Sequence, residues 1–247
     1  LDAFYKVTPN LTASLTLNTD FTGTDIDDQD VNLTRFSSYF KERRDFFLED
    51  MQVFQFGGLG DHDTNGLPFY SRRMGLSTQG NPLDIEWGVK LGGQLGNTQI
   101  GILSVNQDSD NTDDEDTTQL SVVRAKHLIN ENHSLGGIIT HGTIQDFGDN
   151  LLYGFDYQYE NIVLSDQSLQ INAWYQNAQN DNKPGSIDAK AYGAQLLMPN
   201  DRVYLRAKYR YLGDDFDPAI GFVNRTGIQY YEALNHLRWR PDSEWLS

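Results

Sequence analysis

The chain has 247 residues, 38% of them hydrophobic, with a mean hydropathy of −0.57 and a formal net charge of −16. No run approaches the roughly 18 apolar residues of a membrane helix, which excludes a helical membrane protein. The acidic balance argues against a nucleic-acid partner, because phosphates demand clustered Lys and Arg, and the absence of Cys removes disulfides and thiolate metal sites. Low hydropathy is still compatible with a membrane β-barrel, whose strands show an apolar side chain only at alternate positions. The 13 Tyr and 13 Phe suit a β-rich chain and the aromatic girdles of such barrels.

Period-two alternation predicts strands at 2–7 and 11–21, then at 83–95, 98–105, 118–129, 134–144, 151–160, 168–176, 187–198, 202–211 and 227–239. In 83–95, Leu83, Ile85, Trp87, Val89, Leu91 and Leu95 share one face, while Asp84, Glu86, Lys90 and Gln94 share the other. In 202–211, Val203, Leu205, Ala207, Tyr209 and Tyr211 oppose Arg202, Arg206, Lys208 and Arg210. In 168–176, Trp174 falls among the polar set. Most of these segments have the length a tilted strand needs to cross a bilayer, about 9–11 residues, against about 5–6 in soluble folds.

Tight turn signals at 9–10, 96–97, 130–132, 165–167 and 199–201 alternate with longer polar connections at 106–116, 145–150, 180–185 and 213–224. That sorting predicts an all-β, antiparallel up-and-down transmembrane β-barrel with short periplasmic turns and long outer loops. Loop parity leaves the first and last strands each without a neighbour. The expectation is the N-terminal part of a larger barrel, roughly 10–12 strands of it visible.

The insert at 22–82 is too long for a plain loop and is expected to carry its own structure. Its segment 31–50 departs from alternation. Phe36, Tyr39, Phe40, Phe46 and Phe47 crowd among Arg35, Lys41, Arg43 and Arg44, balanced by Glu42, Asp45, Glu49 and Asp50. A dense, aromatic, charge-neutral segment reads as something folded into a scaffold, a plug or gate. Its candidate residues are Arg35, Phe36, Phe40, Arg43, Arg44, Phe46, Phe47 and Glu49. A short helix is expected over 34–42, and a hairpin from 51–56 and 67–74.

With the apolar sides toward lipid, Arg202, Arg206, Lys208 and Arg210 line the lumen, as do Asp84, Glu86, Asp156 and Glu160. The cations either pair with those carboxylates or form an electropositive strip for anionic solutes. The acidic run at 108–116, with Asp108, Asp110, Asp113 and Asp114, has oxygens that suit calcium but lacks EF-hand spacing, so a solvated outer loop is the simpler reading. Asp61-His62-Asp63 has no second ligand group, and no metal or cofactor is expected there. Histidines at 127, 133, 141 and 236 are scattered, and no nucleophile elbow or zinc-binding helix is present, so nothing argues for catalysis.

The stretches VNLTRF and YFKERRDFFLE resemble the "NLTRF…FFPEKRPFFLEG" signature of a bacterial outer-membrane barrel family, domain of unknown function 5916. FYSRRMG is similar to its "FYSRRIG" block, and PAIGFVNRT to its "GFV-RT" block. The chain departs at Lys41 and Asp45, where the family has proline, and at Asp50, where it has glycine, which bears on turn geometry around the insert. The resemblance implies an outer-membrane location, a lipid-bilayer partner, and an upstream domain like the family-9 carbohydrate-binding modules. It carries no catalytic residues. The expected role is surface binding or passage of a small-molecule or glycan solute across a lumen partly closed by the insert. The alternative is a soluble all-β carbohydrate-binding or carbohydrate-processing domain.

Overall fold

The computed structural model describes residues 1–19, 38–60, 64–77, 82–109, 117–144, 148–163, 167–181 and 185–239. Eleven strands form one sheet in sequence order: β1 (Asp2–Thr8), β2 (Leu11–Thr19), β3 (Ile85–Leu95), β4 (Thr98–Asp108), β5 (Thr117–Leu128), β6 (His133–Ile144), β7 (Gly148–Val163), β8 (Gln167–Asn180), β9 (Lys190–Pro199), β10 (Val203–Leu212) and β11 (Ile228–Leu237). Every neighbouring pair is antiparallel. β1 and β11 are the two edges, so among the described residues the sheet is open.

The short links 9–10, 96–97, 129–132, 164–166 and 200–202 all fall at one end of the sheet, as up-and-down order requires. The connections 20–84, 109–116, 145–147, 181–189 and 213–227 fall at the other. The all-β, up-and-down architecture is therefore as alternation and turn chemistry predict. A bulge between Ile85 and Trp87 changes one detail. It turns Ile85 to the buried side, where no exposure remains, and breaks the simple alternation expected for 83–95.

The two faces differ in kind. One is open: Leu15, Leu17, Val89, Ile102, Val123, Leu135, Ile139 and Phe155 stand exposed on successive strands. The other is covered by the insert, and the core lies between the two. Phe46, Phe47, Val53, Phe54, Phe56, Leu59, Leu67 and Met74 of the insert pack on Ile85, Leu103, Val105, Leu120, Val122, Ile138, Leu152 and Trp174 of the sheet. This explains why the central strands carry apolar residues on both faces.

Within the insert the local structure differs from the expectation. Residues 38–44 carry no regular secondary structure, and a helical turn lies at Asp45–Leu48; residues 34–37 of the expected helix lie outside the described set. In place of a hairpin, Met51–Phe54 and Ser71–Arg73 form 3-10 turns. Leu67 pairs instead with Phe222 of the β10–β11 loop, through two N–H···O bonds of 3.0 Å. The physical reason is tertiary. Gly57 at φ +61° lies flat on Trp174, whose ring would be 2.7 Å from any Cβ there, so the chain follows the sheet surface and does not fold back on itself.

Candidate functional site

The insert crosses the covered face from β2 to β10, and glycines in the sheet mark its track. A Cβ at Gly88 would meet Phe46 at 3.2 Å, at Gly92 Asp50 at 2.8 Å, at Gly101 Phe54 and Val53 at 2.8 Å, and at Gly154 Phe56 at 2.9 Å. Each glycine removes a side chain where an insert side chain rests. Close approach, not turn formation, explains these strand glycines.

Four polar anchors hold the insert along that track. Near β2 and β3, the Lys90 ammonium donates to the Phe46 carbonyl at 2.5 Å and the Glu49 carbonyl at 2.6 Å. It also lies 5.1 Å from the centre of the Phe46 ring. A one-turn helix leaves its carbonyls unpaired, and a buried cation satisfies two backbone oxygens at once. Ser14 donates its hydroxyl to the Glu49 carboxylate at 3.2 Å.

The second anchor ties the two ends of the insert together. The Arg44 guanidinium donates to Glu42 through Nε and Nη2, each at 2.8 Å, and to the Met74 and Ser71 carbonyls at 2.5 and 2.9 Å. Ser71 donates to the same carboxylate at 2.6 Å. Burial pushes the Glu42 carboxyl up, but the hydrogen bonds and charge of Arg44, with the Ser71 hydroxyl, outweigh it and hold Glu42 below its ordinary value.

The third anchor lies at mid-sheet. Arg124 of β5 and Asp156 of β7 form a bidentate pair at 2.6 and 2.9 Å, with side chains 0% and 1% exposed. Arg124 Nε donates to the Gln55 carbonyl at 3.0 Å, and Gly57 N–H donates to Asp156 at 3.1 Å. The guanidinium also sits 5.3 Å from the centre of the Phe56 ring. The pair therefore grips residues 55–57 of the insert from both charges.

The fourth anchor joins insert, sheet and the β10–β11 loop. Gln176 donates to the Gly66 carbonyl at 2.6 Å, and the Asn65 amide oxygen accepts from Asn224 N–H at 2.9 Å. Tyr39, Tyr70 and Phe222 form a ring trio with centroid separations of 5.0 to 5.3 Å. The Tyr70 hydroxyl accepts from Phe40 N–H and donates to the Phe40 carbonyl. Burial pushes that phenol up to about 12.

The residues singled out from sequence fall into separate places. Phe46, Phe47 and Arg44 are buried in the insert, Glu49 contacts Ser14 and Lys90, and Phe40 is held through its backbone by Tyr70. Arg43 is exposed, with its N–H donating to Glu42; Arg35 and Phe36 lie outside the described residues. Arg206 and Lys208 both pair with Glu232 on β11, a carboxylate the alternation pattern did not single out. Arg210 is buried beside them on the same face, and Arg202 sits exposed in the 200–202 turn. Asp156 pairs with Arg124, Glu160 accepts from Gln170 at 2.9 Å, and Glu86 accepts from Asn106 at 2.6 Å.

Asp84 and Asp108 are exposed at the long-loop end, whereas Asp110, Asp113, Asp114 and Asp61-His62-Asp63 lie outside the described residues. Among the described residues no group of three or more His, Cys, Asp or Glu could hold a metal ion. Missed from sequence were Lys90, Arg124, Trp174, Gln176 and Asn65. The available signal was the run of glycines, and Trp174, in positions whose alternation calls for a polar side chain.

Fold and site together define an open, up-and-down antiparallel sheet with a folded insert clamped to one of its faces. A family model described as Domain of unknown function (DUF5916) matches residues 1–88, which contain the first two strands, the insert and the start of β3. No curated protein and no solved structure matches the chain.

Proposed function

We propose that this chain forms part of a bacterial outer-membrane β-barrel whose open face meets lipid and whose insert plugs the lumen at which a solute binds or passes. The observation that carries this reading is the open face itself. Apolar side chains including Leu15, Val89, Ile102, Val123, Ile139 and Phe155 are 38% to 62% exposed across neighbouring strands. Contiguous apolar surface of this kind is rare on proteins in water and ordinary on proteins in lipid.

Three further features support the reading. Strands reach 16 residues in β7, five of the six links of four residues or fewer lie at one end, with 145–147 at the other, and the opposite face carries charged and amide side chains. No helix among the described residues is long and apolar enough to cross a membrane, which says nothing about crossing by strands. The residue blocks quoted above add the family resemblance. With it come the expected upstream carbohydrate-binding-like domain and a glycan as one candidate solute.

The absence of native Cys makes a direct test possible. Single-cysteine variants Phe155→Cys and Ile139→Cys on the open face, and Gln52→Cys on the insert, are labelled with a fluorophore in vesicles containing lipids brominated on their acyl chains. Quenching at 155 and 139 but not at 52 is the expected result. A chain that stays a soluble monomer without detergent would overturn the reading and return it to the soluble carbohydrate-domain alternative.

A further inference from the structure

The insert contains a cleft whose wall shares Glu42, Ser71, Tyr39 and Tyr70 with its anchors. It has a volume of about 270 Å³, and its lining among the described residues comes from the insert, between Tyr39 and Ser71. Two aromatic pairs stand in its wall: Phe54 with Phe69 at 5.4 Å, and Tyr39 with Tyr70 at 5.0 Å. Leu59, Leu67 and Pro68 add apolar surface, and exposed Met51 and Gln55 also border it.

The charge of the lining narrows what fits. Among the described residues its lining includes no Lys, Arg, His or Asp, and the carboxylate there is Glu42. That carboxylate is saturated: Arg44 takes both oxygens, Ser71 takes one, and the backbone N–H groups of residues 43 and 44 take the other. A charged ligand entering the cleft would therefore lose water without gaining a counter-ion, which is unfavourable. An uncharged ring with an apolar face loses little and gains the aromatic wall. The volume lies below the roughly 300–1,000 Å³ of drug-sized sites, so it suits one ring and not an extended chain. Concave shape, apolar lining and a few fixed polar groups are the usual attributes of a small-molecule site.

We infer that this cleft binds a single uncharged ring of sugar or aromatic size, the moiety by which a solute is first held at the plug. The inference rests on the plug reading for its place in the barrel, while the binding chemistry belongs to the cleft alone. Positioning by Gln55 gives the ring's substituents an amide at the mouth. The Arg44–Glu42–Ser71 network keeps the site neutral.

The experiment is calorimetric titration of the detergent-solubilised chain with methyl β-glucopyranoside and indole as neutral rings, and benzoate and benzylammonium as charged ones. Expected is saturable binding of at least one neutral ring and none of the charged rings; which neutral ring binds identifies the source. Met51→Trp and Gln55→Trp, which fill the cleft from exposed positions, weaken that binding at least about tenfold. Gln52→Trp, an exposed residue outside the lining, leaves it unchanged. Protease resistance of the insert confirms that each variant is folded. No saturable binding of either neutral ring, equal binding of the charged rings, or binding indifferent to Met51→Trp and Gln55→Trp would overturn the inference. Because lipid contact is not measured here, a negative result condemns the cleft and not the barrel.

Discussion

Removing the Asp156 carboxylate tests whether the mid-sheet pair is what holds the insert down. Asp156→Ala deletes two bonds from Arg124 and one from Gly57 N–H. It leaves a guanidinium of 0% exposure with the Gln55 carbonyl and the Phe56 ring as its remaining named partners. Breaking a buried pair from one side costs about 3–5 kcal/mol, because the surviving charge is uncompensated. The double variant Arg124→Met with Asp156→Leu removes both charges and is expected to cost far less, since apolar replacement of buried pairs is often close to neutral.

The two variants separate sheet stability from insert docking. In detergent, thermal loss of the β-sheet circular dichroism signal reads the first, and proteolytic cleavage within 38–77 reads the second. Asp156→Ala lowers both. The double variant restores the melting temperature, yet the insert stays more readily cleaved than in the parent, because Gln55 and Gly57 have lost their grips. An Asp156→Ala chain with unchanged melting and unchanged proteolysis would refute the clamp.

Three further outcomes follow from the same geometry. Gly154→Ala places a methyl 2.9 Å from the Phe56 ring and 3.1 Å from the Tyr175 carbonyl, so it costs about 1–3 kcal/mol and loosens the insert, measured by the same proteolysis. Phe56→Ala empties a site only 1% exposed and costs about 3–5 kcal/mol in thermal or denaturant unfolding, more than any single exposed substitution on the open face. Because the folded Glu42 carboxyl is held below its ordinary 4.5, its contribution is full above that value and is lost as pH falls through the lowered one. Insert docking therefore weakens under strong acid, and Glu42→Gln flattens that dependence while lowering neutral-pH stability.

The strand order needed little beyond the sequence. Alternation located eleven strands, and tight turns such as Pro9-Asn10 and Gly96-Asn97 set their connections, because side-chain period and turn chemistry are local properties. The aromatic, charge-neutral character of 31–50 likewise marked the insert as a folded element. Its path was not legible. Residues 51–56 and 67–74 look like hairpin partners to a local reading, yet Leu67 pairs with Phe222, more than a hundred residues further on. Nothing local reports that a distant loop will compete for a strand edge.

The same limit applies to the charges. Arg206 and Lys208 were legible as cations on one side of a strand, but their partner Glu232 depends on the β10–β11 register. Arg124 and Asp156 lie on strands separated by β6, and meet across Gly136, where any Cβ would stand 2.3 Å from the guanidinium. Sequence by itself determined the all-β, antiparallel up-and-down arrangement and the long segment between the second and third strands, since these follow from period, length and turn residues. Tertiary structure alone decided where the insert lies, which charges hold it and what cleft it encloses, since those depend on long-range register and on the space that strand glycines leave.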